Sequence, residues 1–179
     1  MEVRIVGALG PVGPPGREWA RNVVRPEPMT DTDDALASPL SIVGFVVAVT
    51  GIVVLFLNQR LFCHHPVGIA VQVAGVLLMI WARLTFGRRS FYAAANPTAG
   101  DLVTWGPYRW WRHPIYAAIL YFTGAAVACH PDLLAAGGAG LVTAGLALRI
   151  AMEERLLRRA YPGYAGYAAR TKRVIPYLL

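Results

Sequence analysis

Two adjacent carboxylates, Glu153 and Glu154, follow Arg149 by four and five residues, just past the end of a long uncharged stretch. A carboxylate at a bilayer centre costs roughly 2.5–3.5 kcal/mol, less towards the edge, and so needs a partner. Arg149 is the local candidate, one turn before Glu153 on the same helical face. A helical ion pair with interfacial anchoring is a sufficient account of these residues taken alone. A second cluster, "GPYRWWRHPIY" from Gly106 to Tyr116, crowds aromatic rings, two arginines, a histidine and two prolines into one short stretch. Pro114 suits the first turn of a helix, where its missing N–H costs nothing. The aromatics read as an interfacial belt and the arginines as cytoplasmic anchors. Taken together, the two clusters set a histidine, a helix N-terminus, aromatic faces and two carboxylates at one membrane surface. That set matches a cofactor that is zwitterionic, aromatic and cationic. A carboxylate holds its ammonium. A helix N-terminus with His or Arg holds its carboxylate. Aromatic faces stack on a purine and attract a sulfonium.

The elements that must position these residues are membrane helices. The 179-residue chain is 56% hydrophobic, above the roughly 45–50% of soluble domains. Charge is absent from Pro39 to Leu57, Val67 to Ala82, Pro114 to His130 and Leu133 to Leu148. Each run approaches the ~20 residues that cross a bilayer, and flanking arginines snorkel to extend the shorter ones. The expectation is an all-α integral membrane protein with four spans, at about 39–58, 67–85, 114–130 and 132–150. A soluble bundle would need more polar helix face. On this count, 16 of the 17 Lys and Arg residues fall on one side and Arg60 alone on the other. That asymmetry places both termini in the cytoplasm. The net charge of +7 is therefore a membrane signature and not a nucleic-acid one.

Residues 1–38 form a Pro- and Gly-rich tail expected to be disordered, ahead of a membrane domain at 39–179. Spans one and two form one hairpin, spans three and four a tighter one. Gly44 with Ala48, Gly124 with Ala128, and Ala136 with Gly140 and Ala144 have the spacing that lets helices approach closely. Phe86 to Arg112 is too long for a mere connection. The C-terminal segment from 151 continues the fourth helix until Pro162 and Gly163 break it. The aromatic and basic remainder suits the membrane interface. Cys63 and Cys129 lie at the non-cytoplasmic ends, where a disulfide is open to them. No Cys or His spacing fits a metal, and none is expected.

"GDLVTWGPYRWWRHPIY", then "RIAMEERLL", "YPGYAGY" and "RVIP" resemble the isoprenylcysteine carboxyl methyltransferase family, relatives of the phospholipid N-methyltransferases. The likeness runs from about Trp81 to Tyr177, with several motifs in order. It implies a membrane enzyme that uses S-adenosyl-L-methionine. Asp101, Leu102, Val103, Tyr108, His113, Pro114, Ile115 and Tyr116 would line a cytoplasmic cofactor pocket between the loop before span three and the C-terminal helix. Glu153 would take the cofactor's ammonium. Arg149 would face the lipophilic substrate and hold an acceptor carboxylate. Glu154 would orient its neighbours, or serve as base for an amine acceptor. Ala118 stands where the family often has Gly, and Gly100 where it usually has a polar residue.

Two other classes compete. An NADPH-dependent membrane reductase would use Arg88, Arg89, Arg109 and Arg112 for the 2′-phosphate. A non-catalytic membrane protein would keep the motif as belt and ion pair. One lysine against sixteen arginines, with abundant Ala and Gly, points to a GC-rich bacterial source and so to an inner-membrane location.

Overall fold

A computed structural model describes residues 32–86 and 102–174, with side chains from Pro39 onward. It contains α1 (Thr32–Leu57), α2 (Pro66–Phe86), α3 (Pro114–Cys129), α4 (Leu133–Ala160) and α5 (Tyr164–Arg170), plus a 3₁₀ turn at Gly106–Arg109. Backbone polar groups inside a bilayer must be satisfied within their own segment, and uncharged runs of this length therefore close into helices. Three are long and apolar enough to cross a membrane by length and composition: Pro39–Leu57 of α1, α2 and α4. The apolar helix α3 has 16 residues, about 24 Å at 1.5 Å per residue. The expected tail lies outside the described residues up to position 31. From Thr32 the chain is already helical.

The extensive contacts join α1 to α4 and α2 to α3, with α3 also against α4. The expected hairpins are correct in connectivity, but each helix buries its main face on a partner from the other hairpin. Gly44 lies on Gly145 and Arg149, Gly51 on Gly138 and Val142, so α1 and α4 run antiparallel. Ala48, Val142 and Leu146 form the adjoining core. The expected contact of Gly44 and Ala48 is there. Gly124, Gly140, Ala128, Ala136 and Ala144 are exposed instead. The buried stripe of α4 is Ala135, Gly138, Val142, Gly145 and Arg149, on the opposite face of the helix from the expected stripe of Ala136, Gly140 and Ala144. Spacing of small residues marks two faces of this helix, and only the partner selects between them.

A Cβ on Gly145 would run into the Gly44 carbonyl oxygen and the Ala48 backbone. Gly145→Ala is therefore expected to lower stability by about 1–3 kcal/mol, the scale of overpacking. Gly140→Ala, with nothing within 4 Å of the added carbon, is expected to leave it unchanged. Thermal denaturation in detergent distinguishes the two.

At the end of the bundle remote from His113, Asp132 caps α4 by accepting from Ala135 N at 2.8 Å and pairs with Arg60 at 2.7 Å. The Ala135 N–H, with Arg60 beside it, holds the Asp132 carboxyl below its ordinary range. Cys63 and Cys129 are joined as a disulfide. Among the described residues no group of three or more candidate ligands could hold a metal ion.

Candidate functional site

Gly106 begins the loop that carries most of the expected site. Its φ is +61°, and a Cβ there would strike the Thr85 side chain at the end of α2. Only glycine takes this backbone without strain. The following turn buries Pro107 and Tyr108. Tyr108 lies beside Phe86, with ring centroids 5.4 Å apart. The chain then passes Trp110, Trp111 and Arg112 to His113, the residue capping α3, and Pro114 in its first turn.

His113 and Tyr116 stack, with centroids 5.6 Å apart and planes 14° from parallel. On the facing helix, Arg149 Nε donates to Glu153 Oε1 at 2.9 Å. The Tyr116 hydroxyl joins them, donating to Glu153 Oε1 and accepting from Arg149 Nε. One carboxylate oxygen is thereby fixed from two directions. The other, Oε2, faces His113 Nδ1 at 3.7 Å, longer than a hydrogen bond.

Glu154 has a different setting. Its side chain is 6% exposed and faces three arginines and a histidine from three segments. Arg112 Nη1 is 2.9 Å away, His113 Nε2 3.5 Å, Arg173 Nε 3.2 Å and Arg158 Nη2 3.7 Å. Sequence reasoning missed Arg173, which lies 19 residues beyond Glu154. No local periodicity joins two residues across the Pro162–Gly163 break.

Arg173 belongs to a strap that crosses the start of α3. Lys172 N donates to Trp110 O at 3.0 Å, Arg112 N to Lys172 O at 2.7 Å and His113 N to Arg173 O at 3.0 Å. Tyr121 Oη donates to Val174 O at 3.1 Å. Just before it, α5 buries Tyr164 and Tyr167, and Tyr167 Oη donates to the Tyr108 carbonyl at 2.7 Å. Burial pushes the Tyr108 and Tyr167 phenols above their ordinary range. Part of the aromatic remainder thus packs against the loop through Tyr167.

The structure thus gathers Tyr108, His113, Pro114, Tyr116, Arg149, Glu153 and Glu154 at one end of the bundle. Leu102, Val103 and Ile115 are half-buried at its edge. Asp101, Arg88, Arg89 and Gly100 lie outside the described residues.

The family model described as the isoprenylcysteine carboxyl methyltransferase (ICMT) family matches residues 66–159, more than half of the chain. The chain belongs to that family. As a member of the ICMT family it is a methyltransferase of membranes. The matched region opens at the first residue of α2 and ends one residue short of the end of α4. It contains His113, Tyr116, Arg149, Glu153 and Glu154. The strap and α1 fall outside it, yet Arg173 and Gly44 touch Glu154 and Arg149. Comparison with curated proteins and with solved structures returned no match.

Proposed function

We propose that the chain binds S-adenosyl-L-methionine at the His113 end of the bundle and methylates the carboxylate of a lipophilic, isoprenoid-like or lipid acceptor. The observation carrying this is the Glu153 carboxylate, with Oε1 fixed by Arg149 and Tyr116 and Oε2 turned towards His113. A carboxylate half satisfied and half presented suits an ammonium, and the stacked His113 and Tyr116 rings supply an aromatic face beside it. The cofactor contributes an electrophilic methyl group. The protein's part is to fix the acceptor near it and exclude water.

The role of Glu154 follows from its neighbours. Paired with Arg112 and Arg173, it is poorly placed to take a proton from an amine. A carboxylate acceptor needs no base, being ionised at neutral pH. Glu154 then serves to hold the loop and strap in register. In this reading four helices cross the bilayer, the site opens to the cytoplasm, and both termini lie there, as the distribution of arginine requires.

The reductase reading loses support, since Arg112 is committed to Glu154 and Arg109 lies over the Trp110 ring at 4.6 Å. Calorimetric titration of the purified protein with S-adenosylhomocysteine, run beside NADPH, tests the proposal. Binding of the first alone is expected. Binding of NADPH alone would instead favour a reductase, and binding of neither a non-catalytic protein.

A further inference from the structure

Gln72 is a buried amide inside a membrane helix, 5% exposed. Polar groups at such depth are costly and have a definite task. Gln72 Oε1 accepts from Cys63 N at 3.0 Å. Its Nε2 donates to Leu61 O at 2.8 Å and lies 3.4 Å from Phe122 O. Both polar ends of one side chain therefore grip the loop between α1 and α2 at Leu61 and Cys63. Gln72 sits six residues into α2, about 9 Å along its axis. The loop accordingly turns back into the bundle instead of lying over its end. The Cys63–Cys129 disulfide secures the same three-residue segment to the end of α3.

The segment held so firmly presents Leu61 to a half-open apolar pocket of about 200 Å³. Ile52, Gly75, Met79, Ile119 and Phe122 are among its walls. The pocket begins within one turn of Tyr116 on α3, at Ala118 and Ile119, and ends at Leu61. Leu61 is itself buried against Leu55 and Ala135, with Phe122 beside it. The pocket's volume compares with the roughly 150 Å³ of a cavity that takes benzene, so it accommodates one or two isoprene units, or a short acyl chain.

We infer that Leu61, clamped by Gln72 and the disulfide, is the end wall that sets the length of hydrocarbon accepted with the substrate. This rests on the methyltransferase reading. A chain whose head lies at Arg149 and Tyr116 runs past Ile119 towards Leu61. Beyond that point it must bend out between the helices. Leu61→Ala removes three carbons from the wall and admits a correspondingly longer chain. Leu61→Phe shortens the limit.

The test uses the full chain in lipid nanodiscs with straight-chain carboxylic acids of six to sixteen carbons. Each bears a diazirine at the chain end, and the labelled residues are mapped by mass spectrometry. The expected result is labelling that moves down α3 with length, reaches Leu61 and Phe122, and then shifts to lipid-facing positions. In Leu61→Ala the shift should come two or three carbons later, and in Leu61→Phe earlier. Methyl transfer to the unlabelled acids, measured in parallel, should fall tenfold or more past the same limit, the scale of one overpacked group. Labelling that shows this limit without any methyl transfer leaves the wall standing and removes the methyltransferase reading. Methyl transfer that is indifferent to chain length, in the native chain and in Leu61→Ala, overturns the wall and leaves that reading intact.

Discussion

Glu153→Ala is expected to weaken binding of S-adenosylhomocysteine by roughly 30-fold or more. Losing one partner of a desolvated charge pair typically costs about 2–5 kcal/mol, and 1.4 kcal/mol is about tenfold in affinity. Glu153 is the half-buried carboxylate fixed on one oxygen by Arg149 and Tyr116. Removing it also takes one partner from Arg149, which is 6% exposed, so alanine alone confounds folding with binding. Glu153→Gln separates them. The amide oxygen still accepts from Arg149 and Tyr116, but no charge remains for an ammonium. Binding is expected to be lost in both variants, with thermal stability largely retained in the glutamine one. Arg149→Ala is expected to weaken binding as well as slow turnover, because Arg149 orients Glu153 at 2.9 Å. Full affinity in Glu153→Gln, measured by calorimetry, would falsify the assignment.

Glu154→Ala is expected to be the most destabilising change at the site and to free the C-terminal strap. The carboxylate is nearly buried, and Arg112 beside it is 10% exposed in its side chain. Breaking a buried ion pair from one side leaves an uncompensated charge and costs about 3–5 kcal/mol. Arg158→Ala is the internal control. That guanidinium is 51% exposed and 3.7 Å from Glu154, and exposed pairs contribute only about 0–1 kcal/mol. Limited proteolysis should cut after Lys172 or Arg173 much faster in Glu154→Ala than in the native chain or in Arg158→Ala. Because His113 N and Arg112 N bond to strap carbonyls, the loop should loosen with it. A strap equally protected in all three proteins would show that the backbone bonds hold it without Glu154.

The positions of the helices and the identity of the site end were legible in the sequence for a local reason. An uncharged run of 16 to 19 residues has few alternatives to a membrane-length helix. Arg149 and Glu153 are one turn apart, so their ion pair follows from helical spacing alone. His113, Pro114 and Tyr116 bracket a helix start, and the structure puts them there. The Gln72 clamp left a signal that went unread: an amide within an otherwise uncharged span implies a partner.

By itself, then, the sequence determined which segments are helical, which end gathers charge and aromatic rings, and which family the motifs resemble. Each of these depends on residues within a few turns of one another or on composition. Only the tertiary structure decided that α1 lies on α4, that Gly145 and not Gly140 faces it, that Arg173 returns to Glu154, and that Leu61 turns into the bundle. Periodicity shows that a face is buried and leaves its partner undetermined, because small residues fit any close neighbour and arginine any carboxylate. The choice is made when the helices meet, where shape and charge must be satisfied together across residues far apart in the chain.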